Sequence, residues 1–184
     1  MSYIESPRDL KTWAIGETPG DIATLAVVFT DIVGSTFMTH MRGEVVMKGI
    51  RTAHKAAVEP LYKAHWGYLV HDLGDGFLIV FRTVIDAFDF ALELREGPGH
   101  PDINVHCGLA VGPVTVTPEN VYGETVNLAA RLEGAAKAQE IYVCGQSKAH
   151  IDTYRDPRHV NLPWRKTRPK LQGLPPRAVW VVTS

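Results

Sequence analysis

The residue pattern predicts an α+β domain, an antiparallel-rich sheet with helices packed on one face, and three observations predict it. Leu25 to Phe29 is a short unbroken apolar run, as in a buried strand. Tyr68–Val70 and Phe77–Phe81 flank the turn residues Leu73-Gly74-Asp75-Gly76, as in a hairpin. Ile103 to Val111 alternates strictly, with Val105, Cys107 and Leu109 set between His106, Gly108 and Ala110. That is a strand with one face buried deeper than the other. The intervening stretches have helical spacing, so strands and helices alternate irregularly, as α+β folds require.

Taken in order, residues 1–22 carry Pro7, Gly16, Pro19 and Gly20 with weak periodicity and read as a lead-in segment holding a helical turn. The domain proper is expected over 23–184. After the first strand, Gly34-Ser35-Thr36 opens a helix. A longer one spans about 44–65, with Val46, Ile50, Ala53, Ala57 and Leu61 on one face, and Pro60 should kink it or end it early. A helix from about 84 to 95 stops before Gly97-Pro98-Gly99. Another spans about 124–138, followed by a strand at 141–143, and a Pro-rich tail leads to a last strand at 178–182.

The bulk numbers exclude several function classes. A chain of 184 residues, 45% hydrophobic and 21% charged, is long enough to bury a core without staples. Nineteen basic and twenty acidic residues give a formal net charge of −1, so the basic footprint of a nucleic-acid binder is missing. Cys107 and Cys144 stand alone and read as reduced, buried thiols. No apolar stretch reaches membrane-spanning length and the N-terminus lacks a signal-peptide core, which points to a cytoplasmic domain.

Two carboxylates draw the functional argument. Asp31 follows the first strand directly, in Phe29-Thr30-Asp31-Ile32-Val33-Gly34-Ser35-Thr36. A hard oxygen ligand at a strand end suits magnesium, and the unpaired N–H groups of a following helix start suit phosphate. By itself the motif is equally a turn and a helix cap. Asp75 sits at the tip of the hairpin, where Asp-Gly is also common for conformational reasons alone. Two aspartates on adjacent strands, however, can hold the paired cations of in-line phosphoryl displacement.

With Val-Tyr-Gly-Glu-Thr-Val-Asn-Leu-Ala-Ala-Arg-Leu-Glu (121–133) added, these motifs resemble, in content and order, the class III adenylate/guanylate cyclase catalytic domain. The resemblance runs from about Leu25 to the C-terminus. It implies a ferredoxin-like βααββαβ sandwich working as a head-to-tail homodimer with composite active sites. It implies that Asp31, Asp75 and the backbone carbonyl of Ile32 bind two Mg2+ or Mn2+ ions. The stretch Val33, Gly34, Ser35 and Thr36 would bind phosphate. Asn127 and Arg131, supplied from the partner, would be catalytic; their spacing of four puts them on one helix face.

The resemblance breaks at three positions. The family's adenine-reading Lys and Asp are replaced by His71 and Asn120, and its triphosphate-binding Lys falls at Gln172, with Lys170 two residues earlier as a substitute if the segment is a strand. His71 and Asn120 offer donors and acceptors without charge, so ATP is expected to be preferred and GTP also accepted. The alternative is a weak or inactive cyclase-fold module serving nucleotide sensing or dimerisation. A diguanylate cyclase would carry a different hairpin. An RNA-binding module would need exposed strand aromatics where Phe77 and Phe81 read as core.

Overall fold

A computed structural model describes residues 9–16 and 19–183; of the lead-in segment, residues 1–8, Pro7 among them, and 17–18 lie outside these. After the short helix α1 (Leu10–Ile15) the chain runs β1 (Ile22–Ile32), α2 (Ser35–Arg42), α3 (Glu44–Ala64), β2 (Tyr68–Asp72), β3 (Gly76–Phe81), α4 (Val84–Glu96) and β4 (Val105–Val116). This is the expected βααββαβ order. Beyond it lie β5 (Val121–Tyr122), α5 (Glu124–Glu133), β6 (Ile141–Cys144), α6 (Gly145–Tyr154), α7 (Pro157–Val160), β7 (Trp164–Thr167) and β8 (Val179–Val182). The strands form one sheet in the order β2-β3-β1-β4-β6-β8-β7, with β5 paired to β4. Every pairing is antiparallel except β4 with β6.

Alternation along the central strands separates two cores. Ala26 and Val28 of β1, with Ile79 and Phe81 of β3, meet α3 and α4 through Val58, Phe88, Phe90 and Leu94. The α3 and α4 helices thus share one face, as expected of the βααββαβ unit. Leu25 and Val27, with Leu78 and Val80, face the other way, where Leu10 and Trp13 of α1 and Ala129 and Leu132 of α5 cover them. Helices therefore cover both faces of the sheet and not the one expected. This explains why β4 is buried on both faces from Cys107 to Gly112, where one face was expected to be buried deeper than the other. Cys107 and Cys144 are free and buried, on opposite faces of the sheet.

Several local expectations are corrected. The α3 helix continues four residues beyond Pro60. Pro60 is exposed, while Val58 before it and Leu61 and Tyr62 after it pack into the core, so burial holds the segment helical despite the missing N–H. The buried stripe is Met47, Ile50, His54 and Val58, and Val46 points to solvent at 48% exposure. The α5 helix ends at Glu133, five residues short of the expected end. There the Ala136 carbonyl is taken by His106 Nδ1 at 2.7 Å and the Lys137 N–H by Glu140 Oε2 at 3.0 Å. Among the described residues, no helix is long and apolar enough to cross a membrane.

Candidate active site

Asp31 occupies the end of β1 between two partners, opposite Gly76 on β3 and His106 on β4. Odd-numbered β1 residues face α5, so Asp31 shares that side of the sheet with Leu25 and Val27. Gly76 matters here because a Cβ would stand 2.0 Å from Thr30 O and 3.1 Å from Asp31 Oδ1. Only glycine lets the hairpin close against the carboxylate. Asp75, one residue before, is tied to the same strand end: its carbonyl accepts from the Ile32 N–H at 3.0 Å, and its carboxylate accepts from the Ser35 hydroxyl.

Burial raises the Asp31 pKa, and the neighbouring charges of Asp75 and Glu133 add to the rise, against the opposing pull of His106. The strand end therefore concentrates negative charge that favours a cation. Gly34 caps α2 in the left-handed conformation (φ 68°, ψ 24°), and no side chain closes the helix start. First-turn N–H groups there have no intrahelical acceptor. Of the four expected phosphate-binding positions, Val33 is already committed, since its N–H donates to Asn104 O at 2.9 Å. Gly34, Ser35 and Thr36 remain.

Close contact positions α5. Gly108 on β4 lies directly beneath it: a Cβ there would be 2.2 Å from Glu133 N and 2.3 Å from Ala129 O. One turn along, Gly112 meets Thr125 Oγ1, where a Cβ would stand at 2.6 Å. With Thr125, Ala129 and Leu132 turned inward, Asn127 and Arg131 are exposed on the outer face. Arg131 Nη1 reaches Gln172 Oε1 at 3.5 Å. Within one chain, α5 brings the Glu133 carboxylate to within 4.8 Å of that of Asp31.

The nucleobase candidates do come together. A register shift in β2 between Leu69 and His71 pairs His71 with Leu78, turning its side chain to the α5 side. His71 Nε2 lies 2.9 Å from Asn120 Oδ1, which also accepts from the Val121 N–H at 2.8 Å. An oxygen that already accepts makes His71 the donor, leaving its Nδ1 and the Asn120 amide group for a ligand. Lys170 and Gln172 lie in the loop between β7 and β8, not on a strand, so the expected same-side geometry does not apply. Leu171 between them is buried and anchors the loop.

Sequence reasoning missed His106 and Glu133. His106 Nε2 lies 2.9 Å from Glu133 Oε1 and 3.7 Å from Asp31 Oδ2. Burial works against the charge on this ring, but the two carboxylates together raise its pKa to about 10. The signal was present: His106 is a polar residue on the α5-facing side of an alternating strand, opposite Asp31.

The family model of the adenylate and guanylate cyclase catalytic domain matches residues 19–162. An adenylate cyclase of Streptomyces coelicolor is 36% identical over 123 residues, covering 65% of this chain and 32% of that protein. An uncharacterized protein of Mycobacterium tuberculosis is 30% identical over 146 residues, covering 78% of this chain and 38% of its own length. The chain thus spans about a third of these relatives. The adenylyl cyclase CyaB of P. aeruginosa has the same fold at a TM-score of 0.78 and 18% identity, over 91% of this chain and 97% of that one. So does the guanylate cyclase domain of RhGC from Catenaria anguillulae in complex with GTP, at 0.74 and 23%, over 88% and 96%. The extent of the family match places the chain in the adenylate and guanylate cyclase catalytic domain family.

Proposed function

We propose that this domain converts a purine nucleoside triphosphate, ATP in preference to GTP, to the 3′,5′-cyclic monophosphate and pyrophosphate, as a cytoplasmic homodimer with composite sites. The observation that carries the reading is the juxtaposition of Asp31 and Asp75 at one sheet end, beside the open start of α2. The donor set suits a hard divalent ion: two carboxylates, one of them held above its normal pKa by burial and by the other's charge. Asp31, Asp75 and the Ile32 carbonyl would hold Mg2+ or Mn2+, which when bound supplies positive charge to the ribose 3′-hydroxyl and the triphosphate.

The chain's own groups do the rest. The free N–H groups of Gly34, Ser35 and Thr36 receive phosphate oxygens, helped by the positive end of α2. Arg131, forked and permanently charged, meets the charge gathering on the α-phosphate, and Asn127 orients the ribose as its 3′-oxygen attacks in line. Because both project outward from α5, they serve the site of a second copy. His71 and Asn120 read the purine edge with uncharged groups, which is why discrimination between ATP and GTP is modest. Lys170, on the same loop as Gln172, which Arg131 reaches, supplies a further phosphate contact.

The test is an assay with ATP and GTP in the presence of manganese on wild type, Asp31→Ala, Arg131→Ala and an equal mixture of the two variants. Each variant alone should be inactive, and the mixture should regain part of the activity because one of its two sites is whole. No product from the wild type would leave the nucleotide-sensing or dimerisation module as the reading. Active single variants would remove the assigned roles.

A further inference from the structure

Asp31, His106 and Glu133 come from three elements, β1, β4 and α5, yet one donor atom from each lies within 4.8 Å of the others. The His106 Nε2 distances, 2.9 Å to Glu133 and 3.7 Å to Asp31, bracket the spacing a tetrahedral divalent ion imposes. Ligands at ~2.0–2.2 Å from such an ion stand about 3.3–3.6 Å apart. The opposite ring nitrogen, Nδ1, donates to the Ala136 carbonyl at 2.7 Å. That bond fixes the ring and turns Nε2 toward the carboxylates, the arrangement in which histidines ligate metals. Nε2 itself is buried and makes no well-directed hydrogen bond, although Glu133 is close.

We propose that Asp31, His106 and Glu133 form a binding site for a borderline divalent transition ion of the zinc type, distinct in composition from the Asp31–Asp75 pair. An imidazole with two carboxylates favours zinc or cobalt over magnesium, which takes oxygen ligands in octahedral geometry. On binding, the ion replaces the proton on His106 Nε2 and that proton leaves to solvent. Asp75 takes no part, since its carboxylate is turned to Ser35. Asp31 belongs to both arrangements, so an ion held here withdraws it from the nucleotide site and inhibits. The inhibition rests on the cyclase reading, whereas the binding site stands on these three residues alone.

The experiment titrates the metal-free full chain with Co2+, a spectroscopic substitute for zinc, following the intense visible bands of tetrahedral cobalt, and then displaces it with Zn2+. One ion per chain is expected. Loss of an outer partner of a metal ligand typically weakens binding 10–100-fold, so His106→Gln, which removes a ligand, should weaken it by at least about 100-fold. Glu133→Gln should also weaken it, and serves if His106→Gln fails to fold by circular dichroism. Asp75→Asn should bind cobalt as the wild type does. Absence of a tetrahedral spectrum would overturn the proposal and leave His106 as an ion-pair partner of two carboxylates. Unchanged binding in both glutamine variants, or its loss in Asp75→Asn, would overturn it equally. A chain that binds cobalt as described but makes no cyclic nucleotide would refute the cyclase reading and leave this site standing.

Discussion

Replacing Gly108 with alanine adds a single methyl group where α5 rests on β4. That methyl would sit 2.2 Å from Glu133 N and 2.3 Å from Ala129 O, both backbone atoms that no rotamer change can move aside. Ordinary contact begins at 3.4 Å, so the helix must retreat by about 1 Å or the strand must bend. Overpacking of this kind costs about 1–3 kcal/mol. In a domain of this size that corresponds to a fall in Tm of about 2–12 °C. The same retreat displaces Asn127 and Arg131, and misplacing catalytic groups by about 1 Å lowers turnover by ~100-fold. Thermal unfolding and a cyclase assay on the purified variant measure the two effects. Gly49→Ala is the control, because Gly49 is exposed within α3, nothing lies within 4 Å of its added Cβ, and alanine should stabilise that helix by ~0.5–1 kcal/mol. A Gly108→Ala protein that melts at the wild-type temperature and keeps full turnover would refute the claim that this contact sets the helix position.

Three further outcomes follow from the geometry. Pro60→Ala restores an N–H inside α3 at an exposed position and should stabilise the protein by up to ~3 kcal/mol, read as a higher urea midpoint. His54 is buried against Phe77 with Nδ1 2.7 Å from Pro98 O, and burial lowers its pKa below 6.5. A base with a depressed folded pKa binds fewer protons folded than unfolded, so it costs stability as pH falls below about 6.5. Urea midpoints from pH 8 to 5 should therefore decline less in His54→Gln than in the wild type. The double variant His71→Lys, Asn120→Asp installs the family's adenine-reading pair and should raise the ratio of kcat/KM for ATP over GTP at least about tenfold, a change of ~1.4 kcal/mol in discrimination.

The order of elements from β1 to β4 was legible in the chain because each carries a local signature: an apolar run, a Gly-Asp-Gly hairpin, a strict alternation. Both sheet-end aspartates and the i, i+4 pair on α5 were legible for the same reason, since each motif spans fewer than fifteen residues. The elements after α5 were harder to read. α6 and β7 have mixed polarity, and β7 becomes a strand only because β8 lies beside it to pair with. α3 persists through Pro60 because packing on both sides outweighs one lost hydrogen bond, a balance local propensity does not contain. The β2 register shift that turns His71 toward Asn120 is likewise a property of strand pairing. His106 and Glu133 stand 27 residues apart in sequence and acquire chemistry only when Gly108 allows α5 to settle onto β4. Local sequence encoded what short-range sterics and periodicity control. Which side chains share a charge environment was decided by tertiary packing, because Coulomb interaction depends on distance through space and not along the chain.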